Sequence, residues 1–177
     1  MDSLILKELE KSFDQLDIEQ LEKAMDLIKS SKRIFVHGTG RSGLMLKAFA
    51  MRLMQLGFTS YVVGETTTPS IDKGDLLILA SASGSTDSVI SMAEKCKDKG
   101  IELFVISANT NSDLANIKNT DLLIKSSDKY SQNNYSLQPM GSLFEQMLLL
   151  SLDQLIYLIY NETGNIEKLQ KNHANLE

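Results

Sequence analysis

The chain has one cysteine, no tryptophan, two prolines and two histidines in 177 residues, and each shortage removes a class of protein. A lone thiol, Cys96, builds neither an internal disulfide framework nor a cysteine-rich metal site. It falls on a helical apolar stripe and is expected in the core. His37 and His173 are far apart, and no H-x-x-E or paired-carboxylate spacing occurs, so neither metal nor cofactor is expected. Positive charge is short as well. Eighteen Lys and Arg against 23 Asp and Glu leave a net charge of −5, the wrong sign for a nucleic-acid surface. A small anionic ligand is still compatible, because it needs only a local cluster of donors. The N-terminus mixes acids with its apolar residues and lacks the basic-then-apolar order of a signal peptide. The longest apolar stretch, 143–159, is broken by Glu145, Gln146, Ser151, Asp153 and Gln154, so no membrane span is expected. No repeat, low-complexity segment or linker divides the chain. Its length suits one domain of roughly 100–200 residues, expected to span 1–177 and to reside in the cytoplasm.

The apolar pattern changes character near residue 31. Before it, two helices are predicted. Leu9, Phe13 and Leu16 share a face of the first. Asp17 and Gln20 have capping-box spacing at the start of the second, where Ile18, Leu21, Met25 and Ile28 repeat at helical period. After it come five short apolar runs, at 33–37, 59–63, 75–81, 101–107 and 121–125. They do not alternate cleanly, as suits parallel strands covered on both faces. Helices are predicted over 44–56, with Leu46, Phe49, Leu53 and Leu56 on one stripe, and over 87–99, with Val89, Met92, Ala93 and Cys96, ending at Gly100. A short helix follows over 112–117. The fold class is therefore α/β: a three-layer sandwich with five parallel strands in doubly wound order and helices on both faces, preceded by the two N-terminal helices. Ligands of such sheets lie beyond the carboxyl ends of the strands. The last long helix, 142–160, is apolar nearly all round and must bury more than one side. A neighbouring subunit is the simplest second partner, which predicts a homo-oligomer.

Two strand-to-helix turns carry chemistry. His37-Gly38-Thr39-Gly40-Arg41-Ser42-Gly43 is formally G-x-G-x-x-G, a dinucleotide fingerprint, with Glu65 as the acid for a ribose. Arg41 and Ser42 suit a small phosphorylated ligand better, and a plain glycine turn produces the same pattern. The second turn, Ser81-Ala82-Ser83-Gly84-Ser85-Thr86, follows the third strand and precedes a helix. It offers backbone N–H groups, a helix dipole and four hydroxyls at one point. Capping by Ser85 or Thr86 explains one hydroxyl, not four.

S-x-S-G-x-T after a strand, with G-x-G-R-S upstream, resembles the sugar isomerase (SIS) domain family. Further segments resemble its 6-phospho-3-hexuloisomerase branch: Phe49-Ala50-Met51-Arg52-Leu53-Met54, Val63-Gly64-Glu65-Thr66 with Pro69, Gln138-Pro139-Met140-Gly141-Ser142-Leu143-Phe144-Glu145-Gln146, and the ending His173-Ala174-Asn175-Leu176-Glu177. The resemblance implies a five-stranded, flavodoxin-like SIS fold and a homotetramer. It also implies interconversion of D-arabino-hex-3-ulose 6-phosphate and fructose 6-phosphate, in the ribulose monophosphate route of formaldehyde fixation. Ala82 and Ser85 depart from residues common in relatives, Gly and Glu. Both keep the turn small.

Moving a carbonyl from C3 to C2 through a cis-enediol needs a base and a donor to the oxygens. The resemblance makes Glu145 the base. By spacing alone, Glu145 reads first as the far end of a capping box begun at Ser142. The resemblance also implies that His173, in the tail, reaches a neighbouring subunit's site, where an imidazole can shuttle protons; an exposed histidine is the alternative. Gly40, Arg41, Ser42, Ser81, Ser83, Ser85 and Thr86 are expected to bind phosphate, and Glu65 to bind sugar hydroxyls or to stand in solvent. His37 is expected to pack or to border the site, and Arg52 to form a structural or interface ion pair. Two rival functions remain: a non-catalytic sugar-phosphate sensor, and a nucleotide-binding oxidoreductase using Gly38, Gly40 and Gly43.

Overall fold

A computed structural model describes residues 3–127, 135–164 and 166–176. The middle of the loop expected over 126–138 and the terminal Glu177 lie outside the described residues. Five strands form one parallel sheet: β1 (Ile34–Gly38), β2 (Ser60–Val62), β3 (Leu76–Ala80), β4 (Glu102–Ser107) and β5 (Leu122–Leu123). Their order is β2-β1-β3-β4-β5. Among the described residues, seven α-helices accompany them: α1 (Leu4–Phe13), α2 (Ile18–Ser30), α3 (Gly40–Gln55), α4 (Asp87–Asp98), α5 (Asp113–Ile117), α6 (Ser142–Thr163) and α7 (Ile166–Lys171). The predicted doubly wound α/β sandwich is the observed fold.

Alternation along the strands divides the core. Ile34, Val36, Leu76, Ile78, Phe104 and Ile106 point to one face, under α2, α3 and α6. Phe35, Leu77, Leu79, Leu103 and Val105 point to the other, under α4 with Val89, Ala93 and Cys96. Both faces of the central strands are buried, which is why their sequences run apolar without a break.

α6 corrects one argument. Its buried residues include Leu143, Phe144, Met147, Leu148, Leu152, Leu155 and Ile159. They meet more than one partner, as expected, but the partners are within the chain: α3 on one side, α1 and α2 on the other. A neighbouring subunit is not needed to cover them. By length and composition alone, Pro139–Glu162 would reach across a membrane; in the fold it is held against these helices.

The N-terminal helices also differ in detail from expectation. Phe13 is 37% exposed rather than core. Asp17 caps α2 through the Glu19 amide, 3.0 Å. Gln20, the predicted other half of the capping box, instead accepts from the Leu123 amide, 2.9 Å. A side chain of α2 thereby occupies a donor on the edge strand β5, where an open amide would invite another chain.

Candidate active site

The sheet order places β1 and β3 side by side at the point where chain direction across the sheet reverses. Ligands of doubly wound sheets collect there, beyond the carboxyl ends of the strands. The turn after β1 and the turn after β3 both open onto a cavity of about 180 Å³. A third segment, Met140–Glu145, closes it. That volume is below the roughly 300–1,000 Å³ of pockets for drug-sized ligands and suits a small one. A larger depression of about 790 Å³ lies between α4 and α5. It is lined by Asp87, Glu94, Asp98 and Asp113 among others, and its acidic walls repel an anion.

The first turn is shaped by glycine. Gly40 adopts φ +57° in open space, a left-handed conformation that side chains disfavour. Gly43 is needed for closeness: a Cβ there would stand 2.5 Å from the Gly38 carbonyl oxygen. α3 starts at Gly40, four residues before the predicted start, because this tight approach draws Arg41 and Ser42 into its first turn.

The second turn is held from below and open above. Ser81 is buried; its hydroxyl accepts from the Gly84 amide and lies 3.1 Å from that of Thr86. Ser83 accepts from the Ser85 hydroxyl at 2.9 Å. The Ala82 and Ser83 carbonyls accept from Ser107, the last residue of β4, and from Asn109 just beyond it. Ser81, Ser83 and Thr86 line the cavity. Ser85 stands exposed at its edge.

Three helices begin at this cavity, and none carries a side-chain cap: α3 after Thr39, α4 after Thr86 and α6 after Gly141. Away from it, α1, α2 and α5 are capped by Ser3, Asp17 and Ser112. Helix N-termini present free N–H groups and partial positive charge. Three of them without side-chain caps, at one place, are the arrangement that suits an external anion.

The third segment brings the carboxylate. Met140 (φ 59°) and Gly141 (φ 76°) are consecutive left-handed residues. The non-glycine one costs about 1–2 kcal/mol. Gly141, not Ser142, is the N-cap, and the Ser142 hydroxyl turns back to donate to the Pro139 carbonyl at 2.7 Å. The capping box that the Ser142–Glu145 spacing allowed is therefore not built. Glu145 lines the cavity and pairs with Arg41, Nη1 to Oε2 2.9 Å. Arg41 also donates to Ser142 at 3.3 Å. It thus bridges the first turn to α6 rather than bonding within its own turn.

The structure brings Gly40, Arg41, Ser42, Ser81, Ser83, Thr86 and Glu145 together. It does not bring Glu65 or His173 with them. Glu65 is exposed and pairs with Lys47 of α3 at 2.6 Å. His173 is exposed, near Arg52 and Gln55, on another part of the surface. Within the chain, Arg52 donates to the neutral Gln55 at 2.9 Å. Thr39, Met140 and Gly141 line the cavity without having been singled out. Among the described residues, no group of three His, Cys, Asp or Glu side chains is placed to hold a metal ion.

His37 stands at the end of β1 on the sheet face of Phe35, away from α6. Burial pushes its imidazole below the ordinary 6.5, only partly offset by a hydrogen bond with the Val63 backbone. Below pH 6.5 the unfolded chain protonates here more readily than the fold does. The stability this group contributes is thus complete above that pH and is lost as pH falls, by at most about 1.4 kcal/mol per unit. Urea unfolding at about pH 7.5 and about pH 5.5 is expected to show a smaller acid loss in His37→Gln than in the parent. Equal losses would assign the sensitivity to other groups.

Comparison with known proteins agrees with this architecture. Residues 27–152 match the SIS domain. A 3-hexulose-6-phosphate isomerase of Bacillus subtilis is 43% identical, covering 98% of this chain and 95% of its own. One of Mycobacterium gastri is 38% identical, covering 99% and 89%. A crystal structure from Methanococcus jannaschii, from which a molecular function of 3-hexulose-6-phosphate isomerase was inferred, superposes with a TM-score of 0.82 at 37% identity, covering 98% and 97%. With its strand order, its two strand-to-helix turns at one cavity and a domain match over residues 27–152, the chain belongs to the SIS domain family.

Proposed function

We propose that this chain is a 3-hexulose-6-phosphate isomerase, interconverting D-arabino-hex-3-ulose 6-phosphate and fructose 6-phosphate through a cis-enediol. One observation carries the reading: three helix N-termini without side-chain caps meet a carboxylate and a guanidinium across a cavity of about 180 Å³. The near-full-length relatives of that name support the same substrate.

In this reading the phosphate sits on the 81–86 turn and the N-terminus of α4, with Gly40 and Ser42 beside it. Glu145 takes the proton from C2 of the 3-ulose and returns it to C3 as the carbonyl forms at C2. Arg41, already beside Glu145, steadies negative charge on the enediolate oxygens. Atoms and electrons balance within the substrate, so no oxidant is consumed. The whole chain, N-terminal helices included, acts as one cytoplasmic domain. Self-association, as a homotetramer, is supported by exposed Leu44, Met51 and Met54 on α3 and Leu150 and Tyr157 on α6. A second copy's tail is then the source of any His173 in the cavity.

Incubation with fructose 6-phosphate tests the reading. The sugar phosphate is expected to raise the melting temperature and to be turned over, and NAD to do neither. Stabilisation without turnover would make the chain a sensor. Stabilisation by NAD would return the glycine turn to a dinucleotide.

A further inference from the structure

Glu145 stands at the end of a segment that cannot hold itself in place. Met140 and Gly141, both left-handed, immediately precede α6, and Met140 is 70% exposed with little packing to fix it. Such backbone persists only where its surroundings over-determine it. On the α6 side, Ser142 bonds to Pro139 and Arg41 reaches both Ser142 and Glu145. On the other side the segment is gripped by a residue from the opposite end of the chain.

That residue is Glu8, in the middle of α1. It is 8% exposed, and its carboxylate accepts three hydrogen bonds from consecutive residues: the Ser136 hydroxyl at 2.6 Å, the Leu137 amide at 2.7 Å and the Gln138 side-chain amide at 3.0 Å. Ser136 in turn accepts from the Gln138 backbone at 3.1 Å. The same helix is fastened nearby twice more. Ser12 donates to the Lys125 carbonyl at 2.6 Å, and the Lys11 ammonium lies 4.4 Å from the centre of the Tyr135 ring. Burial pushes Glu8 up, but the bonds from Ser136, Leu137 and Gln138 and the charge of Lys11 bring it below the ordinary carboxylate value. It is charged at neutral pH, and charge-assisted hydrogen bonds are the strong ones.

We propose that Glu8 is a positioning residue for the isomerase site, clamping Ser136, Leu137 and Gln138 so that the left-handed turn at Met140 and Gly141 delivers Glu145 at a fixed place over the phosphate turns. The proposal rests on the function proposed above for Glu145. α1 touches no part of the cavity, so Glu8 acts only through the segment it holds. The 81–86 turn is fastened separately, to Ser107 and Asn109. Loosening the clamp therefore separates turnover from phosphate binding.

Glu8→Gln is the test. Glutamine keeps the size but turns an –NH₂ toward donors, so at least one of the three bonds is lost. With fructose 6-phosphate, kcat is expected to fall at least tenfold, while the affinity for inorganic phosphate stays within twofold. Hydrogen exchange at the Leu137 amide and at Met140–Leu143 is expected to quicken at least tenfold, with β3 and β4 unchanged. Glu8→Asp is expected to recover part of the turnover. A kcat within twofold of the parent, or parallel losses of turnover and phosphate affinity, would make Glu8 merely structural and overturn the proposal. Should Glu8→Gln not fold, Ser136→Ala removes one donor and is expected to show the same split at smaller size. If the parent itself does not turn over the sugar, the proposed function falls, and unchanged exchange at Leu137 and Met140–Leu143 is then the result that sinks the clamp.

Discussion

Replacing Glu145 by glutamine is expected to slow turnover of the sugar phosphate by about 10³-fold, within the span that positioned acid–base groups supply, and to leave its binding intact. The amide has the shape of the carboxylate but takes up no proton. The turn proposed to hold the phosphate, with Ser81, Ser83 and Thr86, is on other elements and keeps its own hydrogen bonds. In D₂O the parent is expected to place deuterium on carbon as it cycles through the enediol, and Glu145→Gln is not. Glu145→Asp keeps the base but draws it back along its side chain; a displacement of about 1 Å costs as much as 10²-fold, so an intermediate rate is expected. A glutamine variant that exchanges deuterium as fast as the parent would remove Glu145 from the chemistry, and attention would pass to residues that a second copy brings.

Gly43→Ala is the second large effect, and it acts through the fold. The added Cβ meets the Gly38 carbonyl oxygen at 2.5 Å and its carbon at 3.1 Å. Both are backbone, with no side chain to swing aside. Relief requires the end of β1 or the start of α3 to move, and both shape the cavity. A loss of about 3 kcal/mol is expected, typical of overpacking, readable by urea unfolding, together with loss of sugar-phosphate binding. Gly40→Ala is the control. Its Cβ would find open space, but φ is +57°, so only the conformational cost of about 1 kcal/mol applies. If Gly43→Ala is as stable as the parent, the close approach of helix to strand is not what the third glycine provides.

How far this was legible from the chain depended on whether the cause was local. The strands were, because each is a short apolar run between turns, and so were the two strand-to-helix turns after β1 and β3. Ends were less so. The run at 121–125 gives a strand of only two residues, Leu122 and Leu123, since this edge is finished by side chains, with Gln20 on Leu123 and Ser12 on Lys125. The residues Gly40 to Gly43 read as a loop by propensity, yet they open α3 because packing on Gly38 outweighs their weak helix preference. α1 and α2 were visible as amphipathic helices, but nothing in their period said that they cover α6. Glu8 was invisible for the same reason. A glutamate on a helix face says nothing about a partner some 130 positions away, and only the fold closes that distance.

The phosphate anchor proposed over β3 has a chemical consequence. Its donors are peptide groups and hydroxyls, which have no proton to lose in the physiological range. The receptor thus presents the same face to its guest in neutral and in alkaline solution. What ionises is the guest, whose second dissociation lies near pH 6, and the acid limit of recognition is written into the phosphate ester rather than into the protein.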